Sequence, residues 1–260
     1  LVVLQQLGCD RGDHAACDLA AASQIAGRMI ASIAAQLLQN NEGGHGILLG
    51  GVPGVPPAKV IILGAGIVGA NAARMFKAAG AHVTIMDADV RRLQALEERG
   101  CVVDTIVAYD FNVARAVKRA DVLVGAVLIP GARTPHVVTR EMVRTMKPRS
   151  VIMDISIDQG GNCELSESGV ILEKYGISID GTKNIPGMVP TASTWMFAQN
   201  IFNYVANLVK DGKIDVDMSD EIIASSLVTR DGVLVHAGAL EAMNAVGGGK
   251  KNCGCNCGSK

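Results

Sequence analysis

Glycines at positions 64, 66 and 69 punctuate an apolar stretch, Val60-Ile-Ile-Leu-Gly-Ala-Gly-Ile-Val-Gly69. In this spacing the first glycine permits a tight turn after a strand and the second lets backbone approach a pyrophosphate. The third lets the following helix lie close to the strand. A helix opening here would aim free N–H groups and its positive dipole end at the turn, which suits a phosphate. A glycine hexamer alone is a weak signal, so the context decides. Here a buried strand precedes it, small residues Ala70, Ala72 and Ala73 follow, and the next apolar run ends in Asp87. A carboxylate about 20 residues past the turn can accept both ribose hydroxyls of NAD and repel the 2′-phosphate of NADP. Arg91 and Arg92 pull the other way, since either could reach a 2′-phosphate; we expect them on the exposed face of the next helix or bracing the adenosine. The competing reading is a structural turn that binds nothing.

The elements that must position these residues follow from periodicity. Ile25, Met29, Ile33 and Leu37 form a stripe that predicts a long helix over 19–38, ended by Asn40-Asn41-Glu42-Gly43-Gly44. A Gly/Pro-rich loop follows, Gly46 to Pro57. Strands are predicted at Val60–Leu63, Val83–Met86, Val102–Val107, Val122–Leu128 and Val151–Ile157, with a weaker one at Ile177–Ile179. Between them the pattern predicts helices at Val68–Ala79, Val90–Arg99, Val113–Arg119 and Arg140–Met146, and later one near Ala192–Val209. Apolar strands without polar alternation belong to a sheet covered on both faces. Repeated right-handed βαβ crossovers then give an α/β fold, a Rossmann-type doubly wound parallel sheet.

Composition limits the partners. The chain has 260 residues, 49% of them apolar and 19% charged, with 24 basic against 25 acidic side chains. Such a balance gives no reason to expect nucleic acid. No apolar run reaches the roughly 20 residues of a membrane span, so no membrane partner is expected either. Seven cysteines are present. Cys9, Cys17, Cys101 and Cys163 are scattered and read as free thiols of a reducing, cytoplasmic compartment. Cys253, Cys255 and Cys257 offer three thiolates where a closed zinc site wants four, and the Gly/Cys/Lys tail 247–260 reads as flexible, so no metal is expected. His14, His45, His82, His136 and His236 fall in ordinary contexts.

Longer motifs carry a family resemblance. Gly46-Ile-Leu-Leu-Gly-Gly-Val-Pro-Gly-Val-Pro-Pro-Ala58, the glycine turn through Ala73 and Val124-Gly-Ala-Val-Leu-Ile-Pro-Gly-Ala132 resemble the alanine dehydrogenase/pyridine nucleotide transhydrogenase family, and alanine dehydrogenase within it. So do Met142–Pro148, Asp154-Ile-Ser-Ile-Asp-Gln-Gly-Gly161 and Asn184-Ile-Pro-Gly-Met-Val-Pro-Thr191; upstream, Ser23-Gln-Ile-Ala-Gly-Arg28 resembles the start of the family's interdomain helix. The resemblance implies NAD as cofactor. Ser23 would reach it from that helix, Ile67 would lie against the pyrophosphate with Gly64, Gly66 and Gly69, and Asp87 would hold the ribose with Arg92 beside it. Val127 and Leu128 would flank the adenine side. Ile155, Ser156, Ile157 and Asp158 would lie under the nicotinamide, and Asn184 and Ile185 would close its pocket.

The family reaction is NAD-dependent oxidative deamination of L-alanine to pyruvate and ammonium through an imine. A carboxylate at the C-terminal end of a strand, beside the nicotinamide, is placed to shuttle protons there, which makes Asp158 the catalytic candidate. Its competing role is capping the turn before Gly160-Gly161, while Asp154 within the strand is expected to make a buried hydrogen bond.

The resemblance also implies an organisation: 1–18 an unassigned remnant, 19–40 the interdomain helix, 41–188 the NAD-binding domain and 189–246 a return helix with a helical part of the substrate domain. About 20 residues precede Ser23, and they match none of the family's substrate-binding motifs, so the expectation is a chain carrying the cofactor half of the site. A homo-oligomer, a hexamer by resemblance, is expected. Gly160-Gly-Asn-Cys-Glu-Leu165 and Pro190-Thr-Ala-Ser-Thr194 look more like the NAD(H)-binding subunit of a proton-translocating transhydrogenase. That alternative stays open, as does a noncatalytic nucleotide-binding fragment.

Overall fold

The computed structural model describes residues 18–128, 134–236 and 240. Residues 1–17 of the 1–18 remnant, residues 129–133 and the cysteine tail lie outside the described residues. Two compact units emerge: Leu19–Gln199, and a second described from 200 to 236 and at 240. Every residue expected at the cofactor site belongs to the first.

That unit is built on a seven-stranded sheet. Its strands are β1 (Lys59–Leu63), β2 (His82–Asp87), β3 (Asp104–Val107), β4 (Val122–Gly125), β5 (Val151–Asp154), β6 (Ile171–Lys174) and β7 (Ile177–Asp180), in spatial order β3-β2-β1-β4-β5-β7-β6. All neighbours pair parallel except β6, which runs antiparallel to β7. The chain steps outward from β1 to β3, then returns to the other side of β1 to start β4. Strand order therefore reverses between β1 and β4, where open α/β sheets bind ligands beyond their C-terminal ends.

The alternation of strand side chains builds two cores. Val60, Ile62, Val83, Ile85, Val122, Val124, Val151 and Met153 face one side, covered by α1 (Asp18–Leu37), α2 (Ile67–Ala78) and α3 (Val90–Glu98) through Ile30, Ala34, Phe76 and Leu93. Ile61, Leu63, Met86, Leu123, Ile152, Ile177 and Ile179 face the other, packed with Val113 and Val117 of α4 (Asp110–Val117) and Val143 of α5 (Arg140–Arg144). Both strand faces are thus apolar, the physical reason the strands read as unbroken hydrophobic runs. α1 crosses α2 closely at Gly27, where a Cβ would stand 2.4 Å from the Val68 carbonyl oxygen.

The structure departs most from expectation in three places, beyond a β3 that starts two residues late at Asp104. The strands predicted as Val122–Leu128 and Val151–Ile157 end earlier, at Gly125 and Asp154, because the chain beyond each turns over the sheet edge and bonds to side chains there. Strand β6 was not anticipated. Its exposed Ile171, Glu173 and Lys174 leave only Leu172 partly covered, and charge on an outer strand blunts pairing with other chains. The segment 213–247, expected as a helical lobe, is mixed within its described residues. Helix α6 (Pro190–Leu208) runs into a small hairpin, β8 (Val209–Lys210) with β9 (Lys213–Ile214). A short α7 (Glu221–Ser226) and a second hairpin, β10 (Thr229–Arg230) with β11 (Val233–Leu234), follow. Asp211 and Asp231 at positive φ, each followed by glycine, form turns that helical periodicity does not reveal. In the second unit the Tyr204 hydroxyl meets the Ser226 hydroxyl at 2.6 Å, and Asp220 caps α7 by accepting the N–H groups of Ile222 and Ile223. Among the described residues no helix is long and apolar enough to cross a membrane.

Candidate functional site

The C-terminal ends of β1, β2, β4, β5 and β7 share one edge of the sheet, and the expected site residues on the loops gather along it. At β1 the backbone turns on Gly64, whose φ of +103° is left-handed and whose Cβ, if present, would lie 2.5 Å from the Ala126 carbonyl oxygen. At Gly69 a Cβ would sit 1.8 Å from the Gly64 oxygen, so only glycine lets α2 approach the turn this closely.

Gly66 differs from both. Its φ of −70° suits any residue, and a Cβ there would meet nothing within 4 Å. The protein's own packing does not require glycine at 66; a ligand lying against the backbone would. Gly66 is also the N-cap of α2 and offers no side-chain cap, so the first-turn N–H groups are not satisfied by a capping side chain. No acidic side chain occupies that turn. The cradle fits an anion such as a pyrophosphate. Ile67 stands exposed at its lip, and Ser23, half-buried, lies one turn before the crossing of α1 over α2.

Asp87 ends β2 with its side chain largely buried. Its Oδ2 accepts the Ala65 N–H at 2.7 Å and its Oδ1 accepts the Asp89 N–H at 2.8 Å. The carboxylate therefore ties the glycine turn to the β2 loop. Each oxygen keeps a further lone pair for a hydroxyl. Arg92 Nη1 lies 3.8 Å from Asp87 Oδ2. Arg91 is turned away onto Asp89, which also caps α3.

The opposite side of the edge is organised differently. Asp154 is buried and accepts the Asn162 N–H on both oxygens at 2.9 Å and the Cys163 N–H at 2.9 Å. The expected buried hydrogen bond is present. Asn162, fully buried, accepts the Val127 N–H at 2.9 Å and donates to the carbonyls of Val127 at 3.1 Å and Pro135 at 3.2 Å. The Ser156 hydroxyl donates to the Val127 carbonyl at 2.8 Å. Val127 is thus gripped on both backbone groups by side chains from the β5 loop, and half-buried Leu128 follows it.

Ile155 is half-buried, Ser156 and Ile157 are buried, and Asp158 is exposed in a 3₁₀ turn over Ile157–Gln159. Of these four, Asp158 and Ile155 offer accessible side-chain surface, whereas the Ser156 hydroxyl turns inward. Beyond β7, Asn184 is exposed in the left-handed region at φ 50° and starts the 3₁₀ turn Ile185–Met188, in which Ile185 is buried. Asn162 and Asp89 are the residues sequence reasoning missed. Asn162 sits in a Gly-Gly-Asn run that looks like turn chemistry, and its side chain's partners are more than 25 residues away along the chain.

The described cysteines Cys101 and Cys163 are unpaired and buried; burial pushes the Cys163 thiol up from its ordinary range, which leaves it inert. Among the described residues no group of three or more His, Cys, Asp or Glu is placed to hold a metal.

A doubly wound parallel sheet with an open glycine turn at β1 and an acid at the end of β2 defines a Rossmann-type nucleotide-binding domain. The family model described as "Alanine dehydrogenase/PNT, C-terminal domain" matches residues 31–237. The chain belongs to that family. It is 42% identical over 226 residues to an alanine dehydrogenase of Methanococcus maripaludis, covering 85% of this chain and 61% of that protein. To an alanine dehydrogenase of Staphylococcus saprophyticus it is 40% identical over 228 residues, with 85% and 62% covered. A solved L-alanine dehydrogenase superposes with TM-score 0.84 at 34% identity, over 94% of this chain and 68% of that one. A transhydrogenase from Sinorhizobium meliloti superposes at TM-score 0.75 and 25% identity, over 91% and 66%. The chain spans about three fifths of the length of the curated relatives it matches.

Proposed function

We propose that this chain binds NAD(H) along the β1–β5 edge and serves as the cofactor half of an NAD-dependent alanine dehydrogenase. One observation carries the nucleotide reading: Gly66 needs no glycine for its own conformation or packing, yet stands bare at the uncapped start of α2. In this reading Gly64, Gly66, Ile67 and Gly69 cradle the pyrophosphate, Asp87 accepts the ribose hydroxyls with Arg92 beside it, and Ser23 approaches from α1. Val127 and Leu128 wall the adenine side, Ile155 to Asp158 underlie the nicotinamide, and Asn184 and Ile185 bound its pocket. The domain assignment follows: 19–40 as interdomain helix, 41–188 as the NAD-binding domain, and 189–246 as return helix and part of a substrate domain.

NAD, when bound, would supply the hydride acceptor for the oxidation of L-alanine, with water, to pyruvate and ammonium. The chain's residues hold and orient it. In this reading Asp158, exposed in the 3₁₀ turn after β5, takes and returns the protons that move as the amino group leaves. The similarity to alanine dehydrogenases supports this activity over hydride exchange between nucleotides, to which the weaker likeness to a transhydrogenase points. Self-association, a hexamer by family resemblance, is supported by exposed aromatics on α6, among them Trp195 at 77% exposure. Buried unpaired thiols at Cys101 and Cys163 support a reducing, cytoplasmic setting.

The test is a fluorescence titration of NADH into the chain. Saturable binding is expected, and its absence sinks the nucleotide reading. Where protein carrying this chain forms NADH from L-alanine, Asp158→Asn is expected to remove turnover and spare NADH binding. Undiminished turnover overturns the role of Asp158, and nucleotide-to-nucleotide hydride exchange without amino-acid dependence favours the transhydrogenase reading.

A further inference from the structure

Two arginines follow Asp87, the carboxylate assigned to the ribose, and each lies within ion-pair distance of a carboxylate. Arg91 lays a fork on Asp89: Nε donates to Oδ1 at 3.0 Å and Nη2 to Oδ2 at 2.9 Å, the two-bond geometry that best immobilises a guanidinium. The Asp89 Oδ1 also accepts the Arg91 backbone N–H at 3.0 Å, so one residue both caps α3 and clamps the side chain beyond the cap. Arg92 leans toward Asp87, 3.8 Å away. Because the Asp89 N–H donates to Asp87 Oδ1 at 2.8 Å, this clamp is anchored directly on the carboxylate assigned to the ribose. Two acids and two bases cancel, and the ribose end of the site presents no net positive charge from them.

We propose that Asp89 is a second coenzyme-selecting carboxylate, which ties Arg91 down and cancels its charge so that a nucleotide bearing a 2′-phosphate finds no cation to pair with. Asp87 acts on the ribose itself, by accepting hydroxyls and repelling the phosphate. Asp89 acts one step removed, by withholding the arginine that NADP(H) would recruit. The hydrogen bonds from Arg91 hold the Asp89 carboxyl below the usual carboxylate range, which keeps the clamp charged near neutral pH. The inference rests on the NAD reading above and adds to it the question of which nucleotide is refused.

The discriminating variant is Asp89→Ser. A serine hydroxyl still caps α3, so the helix keeps its start while Arg91 loses its charged partner. NADH and NADPH are titrated by fluorescence into the chain, into D89S, and into D89S/R91A. The NADPH-to-NADH affinity ratio is expected to rise about fivefold in D89S, the scale of one exposed ion pair. It is expected to fall back in D89S/R91A, and the rise should shrink at high salt, as a charge effect must. An unchanged ratio in D89S overturns the proposal, and so does a rise that persists without Arg91. Should D89S fail to fold by circular dichroism, Asp89→Asn keeps a capping carbonyl without charge, and a smaller rise in the same direction is expected; a flat ratio there also overturns it. A chain that binds no NADH overturns the nucleotide reading and this inference together, whereas NADH binding with a flat ratio overturns this inference alone.

Discussion

The two sides of the sheet edge reach a fixed shape by opposite means. On the β1–β2 side the shape comes from missing side chains: Gly64 supplies a left-handed turn, Gly69 lets α2 touch the strand, and Gly66 leaves space. On the β4–β5 side it comes from side chains that are present and buried, with Asp154 holding Asn162, and Asn162 and Ser156 holding Val127. Glycine turns specify a shape locally, over a few residues of chain. A buried polar network specifies one only if every member is satisfied, and each loss leaves polar groups stranded. In the proposed nucleotide reading the first side serves backbone approach to an anion and the second holds its loops rigid.

The contrast predicts different failures. Asp154→Ala should be the most damaging: it orphans the Asn162 and Cys163 N–H groups at roughly 1–3 kcal/mol each, so unfolding free energy in urea should fall by about 4 kcal/mol. A loss below about 1 kcal/mol would mean the network does not organise this side. Gly69→Ala forces a Cβ onto the Gly64 carbonyl and should cost about 3 kcal/mol, near the upper end for overpacking; a benign melting curve would show that α2 slides freely on β1. Asn162→Ala strands the Val127 N–H and takes the donor from the Pro135 carbonyl, while the Val127 carbonyl keeps the Ser156 hydroxyl, for about 2 kcal/mol. That substitution should also weaken NADH binding, by releasing the Val127–Leu128 wall.

Gly66→Ala should shift stability least, by no more than about 0.5 kcal/mol, because alanine fits φ −70° and narrows the unfolded ensemble but caps α2 less well than glycine. Its NADH affinity should nevertheless drop more than about tenfold, the scale of a lost close phosphate contact. This last pair of readouts sharpens the comparison most. If Gly66→Ala binds NADH normally, the bare position has no ligand behind it, and the two sides differ in construction but not in purpose.

Legibility in the sequence followed the same division. The glycine turn, the acid at 87 and the run of parallel strands were readable because each depends on short-range spacing: three glycines, a carboxylate after an apolar run, and strands apolar on both faces. The ends of β4 and β5 were misjudged by three residues each, since Ala126, Val127 and Leu128 are as apolar as the strand they follow. Hydrophobicity does not record where a chain leaves a sheet to meet a buried amide. The hairpins at 209–214 and 229–234 escaped for a related reason, being too short for any period to show.

The sequence by itself determined the doubly wound architecture and the glycine turn, because periodicity and glycine spacing act within a few residues of backbone. Only the tertiary structure decided which polar residues hold the site. Asn162 meets Val127 across 35 positions of sequence, Arg91 pairs with Asp89 while still exposed, and Gly66 faces empty space while Gly64 and Gly69 face backbone. Each is a matter of the distance and direction between groups in space, on which hydrogen bonds and steric contacts depend and which hydrophobic periodicity does not encode.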